Sequence, residues 1–273
     1  MKTILLPTDY SDHSLNAVEY ALALFRTSDH RFLLMNAYYM PHTGAVMMTS
    51  IEDSMRKSSL EDMEGFVTKL TEAHPELADR IDHATVYGDP YIAIQSTLKE
   101  NTDIGLIVMG TTGASGIKGI LIGSVTAQIV KNALCAVLAV PFDANYAKPE
   151  RIAFATDNSE MDRTDLQALL YIAKLHGASI HVFNVEFDGS QAHDKAPVRG
   201  DIAALEGIEH DMRVATDEDL ESGILHFVNE RSCDILAMVH HSYSTIEQLF
   251  HKSASKQLAL HTHLPLLVLK DKL

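Results

Sequence analysis

Short runs of aliphatic and β-branched residues alternate along the chain with longer stretches whose apolar residues recur every three or four positions. Thr3-Ile4-Leu5-Leu6-Pro7, Phe32-Leu33-Leu34-Met35, Leu106-Ile107-Val108-Met109 and Ala136-Val137-Leu138-Ala139-Val140 are continuously apolar, as strands buried on both faces must be. Asn16 to Phe25, Ser50 to Ala73, Tyr91 to Glu100 and Val125 to Ala133 read as amphipathic helices. This alternation predicts βαβ units: an α/β, doubly wound fold with a parallel sheet covered by helices on both faces.

The pattern then repeats. Thr3 to Asp9 is echoed by Arg151-Ile152-Ala153-Phe154-Ala155-Thr156-Asp157, so that Asp9 and Asp157 stand 148 residues apart. Phe32 to Asn36 is matched by Ile180 to Asn184 at the same offset, whereas Asp103 to Met109 meets Asp234 to His240 at 131. Ser124 and Gln128 pair with Ser253 and Gln257 at 129, and Ala136 to Val140 with Pro265 to Leu269. The falling offset puts a loss in the middle of the second copy, where a shorter stretch with Gly and Pro around Asp188 to Glu209 stands against Ser50 to Ala73. A chain of 273 residues suits two domains of about 135 each. Residues 1–143 and 150–273 are therefore expected as tandem copies, joined by the polar, proline-bearing stretch Phe142 to Glu150.

Composition narrows the function classes. Apolar residues make up 46% and charged residues 22% of the chain, and no apolar run approaches the roughly 18 to 20 residues of a spanning helix. The start, broken at once by Pro7 and Asp9, lacks the apolar core of a secretory signal, so a cytoplasmic protein is expected. A net charge of −15 opposes any nonspecific grip on nucleic acid or an anionic membrane. Cys135 and Cys233, one per half, make neither a disulfide framework nor a CxxC motif, and are expected to be reduced, buried and inert. His240, His241, His251, His261 and His263 lack a ligand spacing and read as loop or surface histidines before a metal site. Met40, Met47, Met48, Met55 and Met63 suit ordinary helix packing better than an adaptable surface.

The segment suited to chemistry is Gly110-Thr111-Thr112-Gly113-Ala114-Ser115-Gly116-Ile117-Lys118-Gly119-Ile120-Leu121-Ile122-Gly123-Ser124, between a strand and a helix. Glycine lets backbone N–H groups approach a phosphate, and a helix starting near Gly123 and Ser124 adds unpaired donors and a positive dipole end. It is neither a Walker loop nor a GxGxxG fingerprint. The bland alternative is a flexible connector that holds no ligand.

With Gly110, Gly113, Gly123 and Ser124 spaced as Gly, two residues, Gly, nine residues, Gly-Ser, and with the Pro7-Thr8-Asp9 opening, the chain resembles the universal stress protein family over essentially its whole length. The resemblance implies two tandem, doubly wound, parallel-sheet domains of the Rossmann-like adenine nucleotide alpha hydrolase type. It also implies ATP, or ADP or AMP, in the first domain, with Mg²⁺ where a triphosphate is held. Pro7, Asp9 and Ala37 would line the adenine and ribose side, Met109, Gly110 and Gly113 would continue the pocket, and Gly123, Ser124 and Val125 would hold the phosphates. Asp9 suits a ribose or adenine hydrogen bond and equally a helix cap, and Lys118 suits a phosphate neighbour and equally a solvated loop lysine.

Three glycines are replaced in the second copy, by His241, Ser244 and Lys252, which would crowd the phosphate space, while Asp157 and Ser253 persist and leave an adenosine-like ligand open. Lys252 would project an ammonium into the vacated space. The implied role is a nucleotide-dependent stress-response or signalling module with a downstream protein partner. A slow ATPase and a ligand-free scaffold stand as alternatives, since no adenylyl-transfer HxGH motif, nucleophile elbow or placed base is present. The family's dimers form through a terminal strand, so Ala136 to Pro141 and Leu264 to Leu269 are expected to pair within one molecule, with a further homodimer of tandem chains beyond that. The stretch Pro41 to Ala84 is expected to cover part of the first site.

Overall fold

The computed structural model describes residues 2–39, 48–111, 123–132, 134–156, 163–187, 202–240 and 264–270. The first half builds β1 (Thr3–Pro7), α1 (Asp12–Leu24), β2 (Arg31–Tyr38), α2 (Met48–Ala73), β3 (Ile81–Tyr87), α3 (Pro90–Glu100), β4 (Ile104–Gly110), α4 (Ser124–Asn132) and β5 (Ala136–Val140). The second half gives β6 (Arg151–Ala155), α5 (Gln167–His176), β7 (Ser179–Glu186), β8 (His210–Thr216), α6 (Leu220–Glu230), β9 (Ile235–His240) and β10 (Leu266–Lys270). The fold is α/β, as the alternation predicts. Helix α1 begins earlier than the apolar periodicity, because Ser11 caps it by accepting the Ser14 N–H at 3.2 Å.

The ten strands among the described residues form one sheet, in the order β3-β2-β1-β4-β5-β10-β9-β6-β7-β8. Neighbours within each half are parallel, and the halves join where β5 and β10 pair antiparallel, with Leu266 opposite Ala139, Leu267 opposite Leu138 and Val268 opposite Val137. The intramolecular pairing that the family resemblance implied for these two apolar edges is thus present. Its direction has a consequence for any ligand. First-half strands and second-half strands end at opposite margins of the sheet, which separates the places where open α/β sheets bind.

Two cores flank the sheet, and each runs through both halves. Ile4, Leu6, Phe32 and Leu34 pack on one face with Ala17 and Leu24 of α1, Met63 and Leu70 of α2, and Leu169 and Ile172 of α5. Leu5, Met35, Ile107 and Met109 pack on the other with Ile94 and Leu98 of α3, Ile129 and Val130 of α4, and Ile224 and Val228 of α6. Burial holds the Cys135 and Cys233 thiols up at about 12 and about 11, so both stay protonated at neutral pH.

The linker is free of helix and strand, yet it is fastened. Asn16 donates from Nδ2 to the carbonyls of Pro141 at 3.0 Å and Ala144 at 3.3 Å, His13 stacks on Phe142, and Tyr20 meets Tyr146 edge-on. The halves also touch where His30 and Phe25 meet Tyr171, and where His176 Nε2 bonds the Leu24 carbonyl at 2.9 Å.

Candidate functional site

The two faces sort the first-half residues. Side chains alternate along a strand, so Pro7 shares the face of Leu5, the side covered by α3 and α4. Met109 is buried in that same core, and Ala37 and Val125 are half-buried against it. Pro7, Ala37, Met109 and Val125 therefore gather on the α3/α4 face at the C-terminal margin of the sheet.

The glycine loop is pinned at both ends. The Thr111 N–H donates to the Val140 carbonyl at 3.0 Å, the Gly123 N–H to the Thr111 carbonyl at 2.6 Å, and Thr126 Oγ1 to the Gly110 carbonyl at 2.8 Å. These bonds bring Gly110 and Gly123 together at the mouth of residues 112–122. Gly113 and Lys118 lie outside the described residues, as do Asp157, His241, Ser244, Lys252, Ser253, His251, His261 and His263. Among the described residues, no group of three or more His, Cys, Asp or Glu side chains is arranged to hold a metal ion.

Side chains cap two of the helix starts at this margin. Ser11 caps α1, and Asp89 Oδ1 caps α3 by accepting the N–H groups of Tyr91 at 2.9 Å and Ile92 at 3.3 Å. In α4 the first intrahelical bond runs from the Ala127 N–H to the Gly123 carbonyl, so the N–H groups of Ser124, Val125 and Thr126 have no intrahelical acceptor. These three donors, at the positive end of the helix dipole beside the loop mouth, suit an anion.

Asp9 is exposed at the end of β1 and braces the neighbouring cap: its Oδ1 accepts the Ser11 N–H at 3.1 Å and the Ser11 hydroxyl at 2.5 Å. The cap is thus Ser11, with Asp9 one step behind it. Thr8 is buried and turned to the opposite face, where its hydroxyl meets that of Ser14 at 2.9 Å. Asn36, also on that face, donates to the Thr8 carbonyl at 2.8 Å and accepts from Ser59 Oγ of α2 at 3.2 Å. Tyr10 donates to the Ser59 carbonyl, and its burial holds the phenol at about 12.

These contacts correct the expected cover. Helix α2 packs on the α1 side of the sheet, opposite the face that carries Pro7, Ala37 and Met109, so it backs β2 and β3 and does not roof the site. Residues 40–47 lie outside the described residues. The α3 corner went unread in the sequence. Val86 and Tyr91 pack against the same core as Ala37, and Gly88, at a φ of 131° that disfavours any side chain, donates to the Tyr38 carbonyl at 2.9 Å. The Gly88-Asp89-Pro90 turn was the available signal.

The second half fills the same face. Val185 stands where the repeat has Ala37 and is 4% exposed, and a Cβ added to Gly223 of α6 would lie 2.4 Å from Val185 Cγ1. Phe183 and Phe227 stack at 3.9 Å where the first half has Met35 and Thr97.

Comparison with known proteins agrees with the repeat. The model of the universal stress protein family matches residues 1–141 and again 149–270. A universal stress protein of Methanocaldococcus jannaschii is 32% identical over 142 residues, covering 51% of this chain and 81% of the relative. One from Mycobacterium tuberculosis is 30% identical over 141 residues, covering 51% and 95%. Across almost the full length, the fold is similar to that of a universal stress protein from Archaeoglobus fulgidus, with a TM-score of 0.70, 22% identity, and coverage of 98% of this chain and 96% of that one.

Proposed function

Because the chain belongs to the universal stress protein family in both of its halves, we propose that its first half binds an adenine nucleotide, ATP before ADP or AMP, and that a downstream protein in a cytoplasmic stress response or signalling route reads the bound state. The observation that carries this reading is the start of α4, whose first three N–H groups have no intrahelical acceptor, beside the pinned mouth of the glycine loop. The N–H groups of Ser124, Val125 and Thr126 take the phosphates, with Gly110, Gly113 and Gly123 leaving room for them. Pro7, Ala37 and Met109 give the base an apolar bed, and Asp9, exposed at the edge of that bed, accepts a ribose hydroxyl. Mg²⁺ fits this site without a protein cage, since it keeps several waters and is held through the phosphates.

The second half holds no nucleotide in this reading. Val185 and the stacked phenylalanines fill the bed, and the sequence has lost the loop glycines. A binding module is read before an ATPase, since the sequence carries neither an adenylyl-transfer HxGH motif nor a nucleophile elbow. With β5 and β10 already paired, a homodimer of tandem chains would use another surface.

The test is to purify the protein natively, denature it, and count the released nucleotide by mass spectrometry. One ATP per chain is expected, and Gly123→Val should weaken rebinding by about tenfold or more. Two per chain would refute the one-site reading. ADP or AMP would point to hydrolysis or another preference, and no nucleotide, with none taken up from ATP and Mg²⁺, would leave a ligand-free scaffold.

A further inference from the structure

Tyr91 is the topmost residue of the inward stripe of α3, followed at helical spacing by Ile94 and Leu98. The latter two are buried, whereas Tyr91 is half-exposed against the core that holds Ala37 and Val86. Cα–Cβ bonds in a helix tilt toward its N-terminus, so the phenol is carried beyond the first turn, toward the margin where the nucleotide is proposed to lie. Its backbone is held in advance by Pro90 before it and by the Asp89 cap on its N–H. Tyr39 and Tyr87, each 50% exposed, and Ile92, 61% exposed, make this corner unusually apolar for a surface. At the corresponding corner of the second half, Val185 replaces Ala37 and Glu221 replaces Tyr91. A small residue at the end of the second strand together with an aromatic in the first turn of the α3-type helix is peculiar to the first half.

We propose that Tyr91 forms the wall of the base subsite, its ring packing on a purine laid over Ala37, and that it makes the site prefer purine to pyrimidine nucleotides. The proposal rests on the nucleotide reading above and adds to it a residue and a selectivity. A larger base covers more of a fixed aromatic ring, so the preference arises from stacking area and not from hydrogen bonding.

The experiment is calorimetric titration of the full chain, stripped of nucleotide, with ATP, CTP and inorganic tripolyphosphate. Tyr91→Leu keeps apolar packing without an aromatic face, Tyr91→Phe keeps the ring, and thermal melts check that each variant folds. Tyr91→Leu is expected to lose roughly ten- to a hundredfold in ATP affinity. Its ATP-to-CTP ratio should collapse toward one and tripolyphosphate binding should hold, while Tyr91→Phe stays within about threefold of the parent. An unchanged ATP affinity and ATP-to-CTP ratio in Tyr91→Leu, alongside a loss in Gly123→Val, would overturn the proposal and leave the nucleotide reading standing. Equal losses of ATP and tripolyphosphate would also overturn it, because Tyr91 would then be supporting the fold. A parent protein that binds none of the three would sink both.

Discussion

Asn36 and Asn184 occupy the same place in the two copies and differ in how fully they are satisfied. Each donates from Nδ2 to the carbonyl one residue past the end of its neighbouring strand, Thr8 at 2.8 Å and Thr156 at 3.0 Å. Asn36 also accepts from Ser59, whereas Asn184 Oδ1, in a residue only 4% exposed, has no partner among the described residues. An unmet buried acceptor costs about 1–3 kcal/mol. Asn36→Ala, which strands two partners, should therefore destabilise by about 2 kcal/mol, and Asn184→Ala, which removes an orphan along with one bond, by about 1 kcal/mol or less. Urea midpoints would show it, and equal losses would mean that Asn184 Oδ1 is satisfied in solution. The asparagines themselves are legible as a repeat in the sequence. Their partners are not, because Ser59 lies 23 residues from Asn36 on a helix with no equivalent among the described residues of the second copy. For the same reason Asp9 could be read as contact or cap. The structure gives the cap to Ser11 two residues on, whose hydroxyl accepts the Ser14 N–H at 3.2 Å.

At the scale of elements, the apolar periodicities located strands and helices well, but not the face on which each helix packs. A strand buried on both sides is apolar at every position, so its pattern carries no label for the side facing α2 or α3. That is why Pro41 to Ala84 read as a cover although α2 lies behind the site. The faces become visible in compensating pairs. Ala37 and Ala93 in the first half correspond to Val185 and Gly223 in the second, so a larger strand residue is met by a smaller helix residue. Gly223→Ala places a Cβ at 2.4 Å from Val185 Cγ1 and should cost about 1–3 kcal/mol through forced overpacking. Adding Val185→Ala should recover much of that loss, giving a non-additive double-mutant cycle. Strictly additive effects in thermal or urea unfolding would show that α6 shifts freely and that the fit is not specific.

For the whole molecule, the pairing of β5 with β10 turns two copies into one sheet, a junction legible in advance only because the resembled family pairs through a terminal strand and these two runs are apolar. What the sequence left hidden is how the rest of the junction is fastened, since Leu24 and His176 are 152 residues apart and neither belongs to a motif. His176 ends α5 and bonds the last carbonyl of α1, tying helices of opposite halves. Burial lowers its pKa below the ordinary 6.5, the nearby Lys148 charge acts in the same direction, and the Leu24 bond only partly opposes them. The folded imidazole therefore protonates later than the unfolded one as the solution is acidified. Its contribution to stability is full above 6.5, declines as pH falls from there to the lowered folded value, and stays constant below it. His176→Gln can keep a donor toward Leu24 but does not titrate. The difference in urea midpoint between the parent and this variant should accordingly be steady above pH 6.5 and shift in the variant's favour below it. Subtracting the variant cancels the other histidines common to both proteins, so a difference that stays the same at pH 8 and pH 5 would mean that His176 keeps its ordinary pKa and that the contact between α1 and α5 does not exclude water.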